Sequence, residues 1–253
     1  MSLGLHLSKL RSELFQFPPR NNPDTLPPPP PTSKAGSRNF SIPENIFHKA
    51  LDPRLPLTFA TIYIFSIFLL NSYNRRRGNK PWSLSKTRLF ACFVILHNIF
   101  LAVYSGWTFL GMWTALQKSI PFPSSYDLMV EMVDSLCKIH GPRGIGESVV
   151  YNTSTSQWAH QSNITMREAE IVELQSTGRL WNEGLAFYGW IFYLSKLYEI
   201  IDTFILVVKG KRSSTLQTYH HAGAMICMWS GIRYMSPPIW MFVFVNSAIH
   251  SCM

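Results

Sequence analysis

The stretch "LFACFVILHNIFLAVYSGWTFLGMWTAL", residues 89–116, contains no Asp, Glu, Lys or Arg. A helix needs roughly 20 apolar residues to cross a bilayer, and this run exceeds that. Hydrocarbon offers no partner for backbone N–H and C=O groups, so such a run must close its own hydrogen bonds as a helix. Four further apolar runs follow the same logic: 56–73, 184–208, 216–232 and 238–253. Together they predict an all-α integral membrane protein, a multi-span helical bundle with five spans. The low charge content, 15%, agrees, since soluble domains carry about 25%.

Residues 1–55 read as a Pro-rich N-terminal tail. The stretch "FPPRNNPDTLPPPPPTSKAGSR" within it suits polyproline II or disorder. Ahead of that stretch, Leu3, Leu7, Leu10 and Leu14 recur at helical spacing, as in a helix lying on a membrane surface. No continuous apolar h-region marks a signal peptide in this segment. Residues 56–253 form the membrane-embedded domain, with a long loop at 117–183. Cys92, Cys227 and Cys252 fall in apolar runs and read as small buried hydrophobes.

Loop charges set the expected orientation. The net charge is +9, which points to cytoplasmic loops and anionic headgroups; no nucleic-acid motif accompanies it. Arg75, Arg76, Arg77, Lys80, Lys86 and Arg88 crowd one loop, and Lys209, Lys211 and Arg212 another. Both are expected on the cytoplasmic side. Loop 117–183 is then luminal, which suits its glycosylation triplets Asn152-Thr153-Ser154 and Asn163-Ile164-Thr165.

Against this background the run 184–208 is anomalous, because it holds Lys196, Glu199 and Asp202. Each charged side chain at mid-membrane costs about 3 kcal/mol on insertion scales. At i, i+3 and i+6 they share one helical face, with Thr203 four residues after Glu199. They serve either as an ion-pair ladder between helices or as the wall of a hydrated functional site. Histidines sharpen the second reading. His220 and His221 open the fourth run; His250 lies in the fifth, on the same helical face as Asn246. Imidazole is a nucleophile and base that works near neutral pH. His97, alone in the second run, reads as structural. Two chemistries fit three imidazoles: metal-free acyl transfer, or a single-metal lipid oxidase, the histidines being too few for a di-iron centre.

These residues resemble a family. Lys196-x-x-Glu199-x-x-Asp202-Thr203 is similar to the K-x-x-E-x-x-D-T box of the ELO fatty-acid elongases. Gln217-Thr218-Tyr219-His220-His221 resembles their H-x-x-H-H box, and Asn246-x-x-x-His250-x-x-Met253 their N-x-x-x-H-x-x-M-Y box. Gln217 stands where the family has its first histidine; within the family that change accompanies fungal and other polyunsaturated-type elongases. The family has seven spans, six of them enclosing an acyl tunnel. A Tyr and two spans would follow Met253, so the resemblance implies a C-terminally truncated chain.

The resemblance also implies a reaction: condensation of a long-chain, polyunsaturated-type acyl-CoA with malonyl-CoA to 3-ketoacyl-CoA, CO2 and CoA. It implies catalytic or orienting roles for Lys196, Glu199, Asp202, Thr203, Gln217, His220, His221, Asn246 and His250. It leaves open which histidine is acylated. CoA phosphates would meet Lys209, Lys211 and Arg212. No cofactor is expected beyond the CoA substrates. The expected setting is the endoplasmic reticulum membrane, multi-pass, with other elongase subunits and downstream reductases and dehydratase as partners. A non-catalytic membrane fragment that binds intact elongase subunits is the alternative of a different class.

Overall fold

The computed structural model describes residues 44–119 and 184–252 continuously, plus 25–26, 28–29, 34–35, 38–39, 42–43, 149–152, 157–160 and 180–181. The leucine-spaced segment at 3–14 and the triplet at 163–165 lie outside the described residues, as do the side chains of 149–152.

Seven helices carry the described fold: α1 (Glu44–Leu51), α2 (Arg54–Arg76), α3 (Arg88–Ser119), α4 (Leu185–Tyr198), α5 (Ile200–Val208), α6 (Thr215–Arg233) and α7 (Pro237–Ser251). Two short antiparallel pairs stand outside them in sequence. β1 (Lys34–Ala35) pairs with β2 (Arg38–Asn39), and β3 (Val149–Asn152) with β4 (Gln157–His160). The apolar runs thus become helices, with boundaries displaced by a few residues, except that 184–208, expected as one span, is divided at Glu199 into α4 and α5.

Two helices are long and apolar enough to cross a membrane, α2 with 23 residues and α3 with 32. At 1.5 Å per residue they reach roughly 35 and 48 Å, against a hydrocarbon core of about 30 Å. Neither is a buried core helix of a soluble protein. Phe68 of α2 is 72% exposed and Leu89 of α3 81%. The buried side of α2 instead carries Ala60, Tyr63, Ile67 and Asn74 at helical spacing. Oily residues outside and hydrogen-bonding residues inside is the arrangement hydrocarbon favours. This is a helical membrane protein.

Local chemistry sets the joints. Asp52 accepts the Arg54 N–H at 2.8 Å and starts α2. Ser214 caps α6 by accepting the Gln217 N–H at 3.0 Å. Pro237 and Pro238 open α7 in its first turn, where no donor is needed. At Gly210, φ is +76°, and a Cβ there would strike the backbone of Asn79 and Lys80. Only glycine suits both demands.

The helices run up and down, so one core forms at the end away from the basic loops. It joins Phe47 and Leu51 of α1, Met112 and Ala115 of α3, Phe192 of α4, Ile232 of α6 and Trp240 of α7. Here the tail boundary at residue 55 needs correction. Residues 44–51 are a helix whose Phe47, Ala50 and Leu51 are buried. Further contacts pin α1 in place: Tyr193 Oη donates to the Ala50 carbonyl at 2.9 Å, and Trp229 Nε1 to that of Leu51 at 2.8 Å. The apolar spacing i, i+3, i+4 was present in the sequence, beside a Pro-rich run that masked it. A second correction concerns Cys92, Cys227 and Cys252: all are exposed. On a lipid-facing helix an apolar run does not imply burial within the protein.

Candidate functional site

The site is built where α4 gives way to α5. Glu199 is the joint: its N–H bonds to Ser195 in helical fashion, while the Asp202 N–H bonds back to the Glu199 carbonyl, three residues earlier. This tighter turn is of 3₁₀ type, a frequent mark of functional positions within helices. It separates the directions taken by the acidic side chains.

Lys196 and Glu199 turn together into the bundle, each 2% exposed. Lys196 Nζ donates to Glu199 Oε1 at 2.8 Å, to Oε2 at 3.0 Å, and across to Asn246 Oδ1 on α7 at 2.7 Å. Its three protons therefore have three acceptors. The ammonium also lies 4.1 Å from the centre of the Phe192 ring. Ser195 Oγ adds a donor to Glu199 Oε1 at 3.3 Å. A charge pair this buried survives only when both ions are so satisfied.

Asp202 turns the other way, toward α3. Its Oδ1 lies 2.7 Å from His97 Nε2, and His97 Nδ1 lies 3.0 Å from the Tyr198 hydroxyl. A neutral His97 satisfies both by donating from Nε2 to the carboxylate and accepting from Tyr198 at Nδ1. The His97 side chain is fully buried, whereas that of Asp202 is 30% exposed. Thr203, fully buried, shares a hydrogen bond of 3.0 Å with Tyr63 of α2. Tyr63 in turn meets the His221 ring edge-on at 6.2 Å.

The histidine pair is split by burial. His221 is buried against Tyr63; His220 is exposed, with its ring centre 5.8 Å from that of His221. His250 of α7 is half-buried. His250 lies one turn after Asn246 on α7, and Asn246 is the residue that accepts from Lys196. Gln217 is half-buried, one turn before His220–His221 on α6. Lys209, Lys211 and Arg212 are exposed on the loop between α5 and α6. Among the described residues, no three His, Cys, Asp or Glu side chains converge as a metal ligand set.

The structure thus links Lys196, Glu199 and Asn246 directly, and Thr203 to His221 through Tyr63. It attaches Asp202 to a residue read as plainly structural. His97, Tyr198, Tyr63 and Ser195 were not singled out as site residues. His97 did carry a signal: an imidazole within an uncharged run raises the same question of cost as Lys196. Tyr63 carried none.

An apolar helical bundle that buries a lysine–carboxylate pair beside imidazoles from two other helices defines a class, membrane proteins with an ionisable site inside the helix bundle. The particular family follows from comparison. The model of the ELO family, described as GNS1/SUR4, matches residues 49–253, and the chain belongs to that family. Fatty acid elongase 2 of Trypanosoma brucei brucei is 34% identical over 74 residues, 29% of this chain and 27% of that protein. Fatty acid elongase A of Dictyostelium discoideum is 36% identical over 67 residues, 26% of this chain and 25% of that one. Very long chain fatty acid elongase 6 of Drosophila melanogaster is 38% identical over 68 residues, 26% and 21% respectively. The chain thus matches about a quarter of the length of these relatives. No solved structure matches it.

Proposed function

We propose that this chain carries the condensing chemistry of fatty acid elongation, joining a long-chain acyl-CoA to malonyl-CoA in a multi-pass setting in the endoplasmic reticulum membrane. One observation carries the reading: the 2.7 Å bond from Lys196 to Asn246, which ties the first motif to the third inside the bundle. Family membership and the named relatives support it.

In this proposal His220 is the acyl acceptor, because its ring is exposed and free to meet a thioester, while its neighbour His221 is packed against Tyr63. Its ring nitrogen attacks the thioester carbonyl; the C–N bond forms, the C–S bond breaks, and CoA leaves with a proton. Malonyl-CoA then loses CO2, and the electron pair freed from that C–C bond attacks the acyl carbon. The imidazole departs, taking up a proton from water to replace the one that left with CoA, and 3-ketoacyl-CoA results. His250 is the partner base. The saturated Lys196 ammonium is no nucleophile; it fixes Glu199 and Asn246 next to the reacting imidazoles. Lys209 and Lys211, exposed at the basic end, meet CoA phosphates. Gln217 biases the site toward polyunsaturated chains.

The test is mass spectrometry of the protein after incubation with acyl-CoA alone. The expected product is an acyl adduct on His220. His220→Ala should remove the adduct and lower malonyl-dependent elongation by about a hundredfold or more. No adduct, together with unchanged turnover in His220→Ala and His250→Ala, overturns the mechanism.

A further inference from the structure

A cavity lies apart from the buried charges, at the basic end of the molecule. It measures about 330 Å³ and sits between the last turns of α2 and the start of α6. Its lining is divided by chemistry. Ile64 and Phe68 of α2 form an apolar floor, continuous with that helix's exposed oily side. Arg75 of α2 and Arg212 of the α5–α6 loop line its polar part. No acidic residue lines it, and neither arginine makes an ion pair among the described residues.

The cavity is built rather than incidental. Asn71 Nδ2 donates to the Ser213 carbonyl at 3.0 Å, and the Ser213 N–H donates back to Asn71 Oδ1 at 3.1 Å. Ser213 is 2% exposed. This reciprocal pair locks the loop carrying Arg212 against the helix carrying Arg75. Of the three loop cations, only Arg212 lines the cavity; Lys209 and Lys211 do not.

We infer that this cavity binds the headgroup of an anionic phospholipid. The phosphate lies between Arg75 and Arg212, whose planar forks suit its oxygens, and an acyl chain runs down over Ile64 and Phe68. A water-soluble anion would leave that apolar floor uncovered, whereas a phospholipid covers both parts of the lining. The site shares no residue with the Lys196–Glu199–Asn246 cluster; Arg212, which the resemblance grouped with the CoA-binding cations, is assigned here to the lipid phosphate.

Native mass spectrometry of the full chain, released from phosphatidylcholine nanodiscs doped with phosphatidic acid, tests this. The unmodified chain should retain phosphatidic acid in preference to phosphatidylcholine. Arg75→Gln should lower that retention about fivefold, and Arg75→Gln with Arg212→Gln further. Arg75→Lys should fall between, keeping charge but losing the fork. Lys86→Gln with Arg88→Gln removes the same charge outside the cavity and should leave retention unchanged. Equal losses in that control would mean a diffuse field rather than a site and would overturn the inference. Retention untouched by the arginine variants, or displacement of the lipid by coenzyme A, would do so as well.

Discussion

At the residue scale, the economy of this protein is set by Lys196 and Glu199. Neither ion tolerates the bundle interior alone. Lys196→Met leaves the Glu199 carboxylate buried without its cation, and such breakage typically costs about 3–5 kcal/mol. The double change Lys196→Met with Glu199→Gln removes both charges and should cost less than the single one. Thermal unfolding in detergent would show this order; a double variant no more stable than Lys196→Met would refute it. His97 offers the companion case. His97→Ala strips Asp202 of its 2.7 Å partner and should cost about 1–3 kcal/mol. His97→Gln keeps a terminal donor and should recover part of that loss. Equal destabilisation by Ala and Gln would show that the ring's bulk, and not its hydrogen bond, matters.

At the scale of elements, close approach is bought by small residues. Gly111 of α3 faces Tyr188 of α4, and a Cβ at position 111 would overlap the Tyr188 ring. Gly111→Val should force α3 and α4 apart, at a cost of about 1–3 kcal/mol, read as a lower unfolding temperature. An unchanged transition would mean that the helices do not meet there. The same packing explains what the sequence revealed and what it withheld. Helices were legible because hydrocarbon leaves an apolar run little other choice: 216–232 became Thr215–Arg233, and 238–253 became Pro237–Ser251. The site residues on α4 were legible by their cost. Their partners were not, since spacing reports only on one helix's own face. Nothing in the run 89–116 states that His97 will face Asp202, nor that the stripe will divide at Glu199. Helix α1 was missed because eight residues are too few for periodicity to outweigh the adjacent prolines.

For the whole molecule, the two basic loops decide orientation, and the structure brings them together. The Trp82 N–H donates to the Val208 carbonyl at 3.0 Å. Asn74, 1% exposed, donates to the Val207 carbonyl at 2.8 Å and accepts from Trp82 Nε1 at 2.7 Å. A buried amide satisfied on both sides is costly to disrupt. The loops therefore cannot part to opposite faces of a membrane without exposing several polar groups to hydrocarbon. The positive-inside rule asks for the same arrangement on independent grounds, since both loops are rich in Lys and Arg. The resulting prediction concerns Lys80→Cys and Lys211→Cys, each placed singly in a chain whose four native cysteines are replaced by serine. In sealed microsomes, both should react with a membrane-impermeant maleimide added from the cytoplasmic side, before the vesicles are permeabilised. Labelling of one from outside and the other only after permeabilisation would separate the loops and dismantle the bundle described here. Protection of both until permeabilisation would keep the bundle intact and reverse its orientation, moving Lys209, Lys211 and the proposed CoA entry to the lumen.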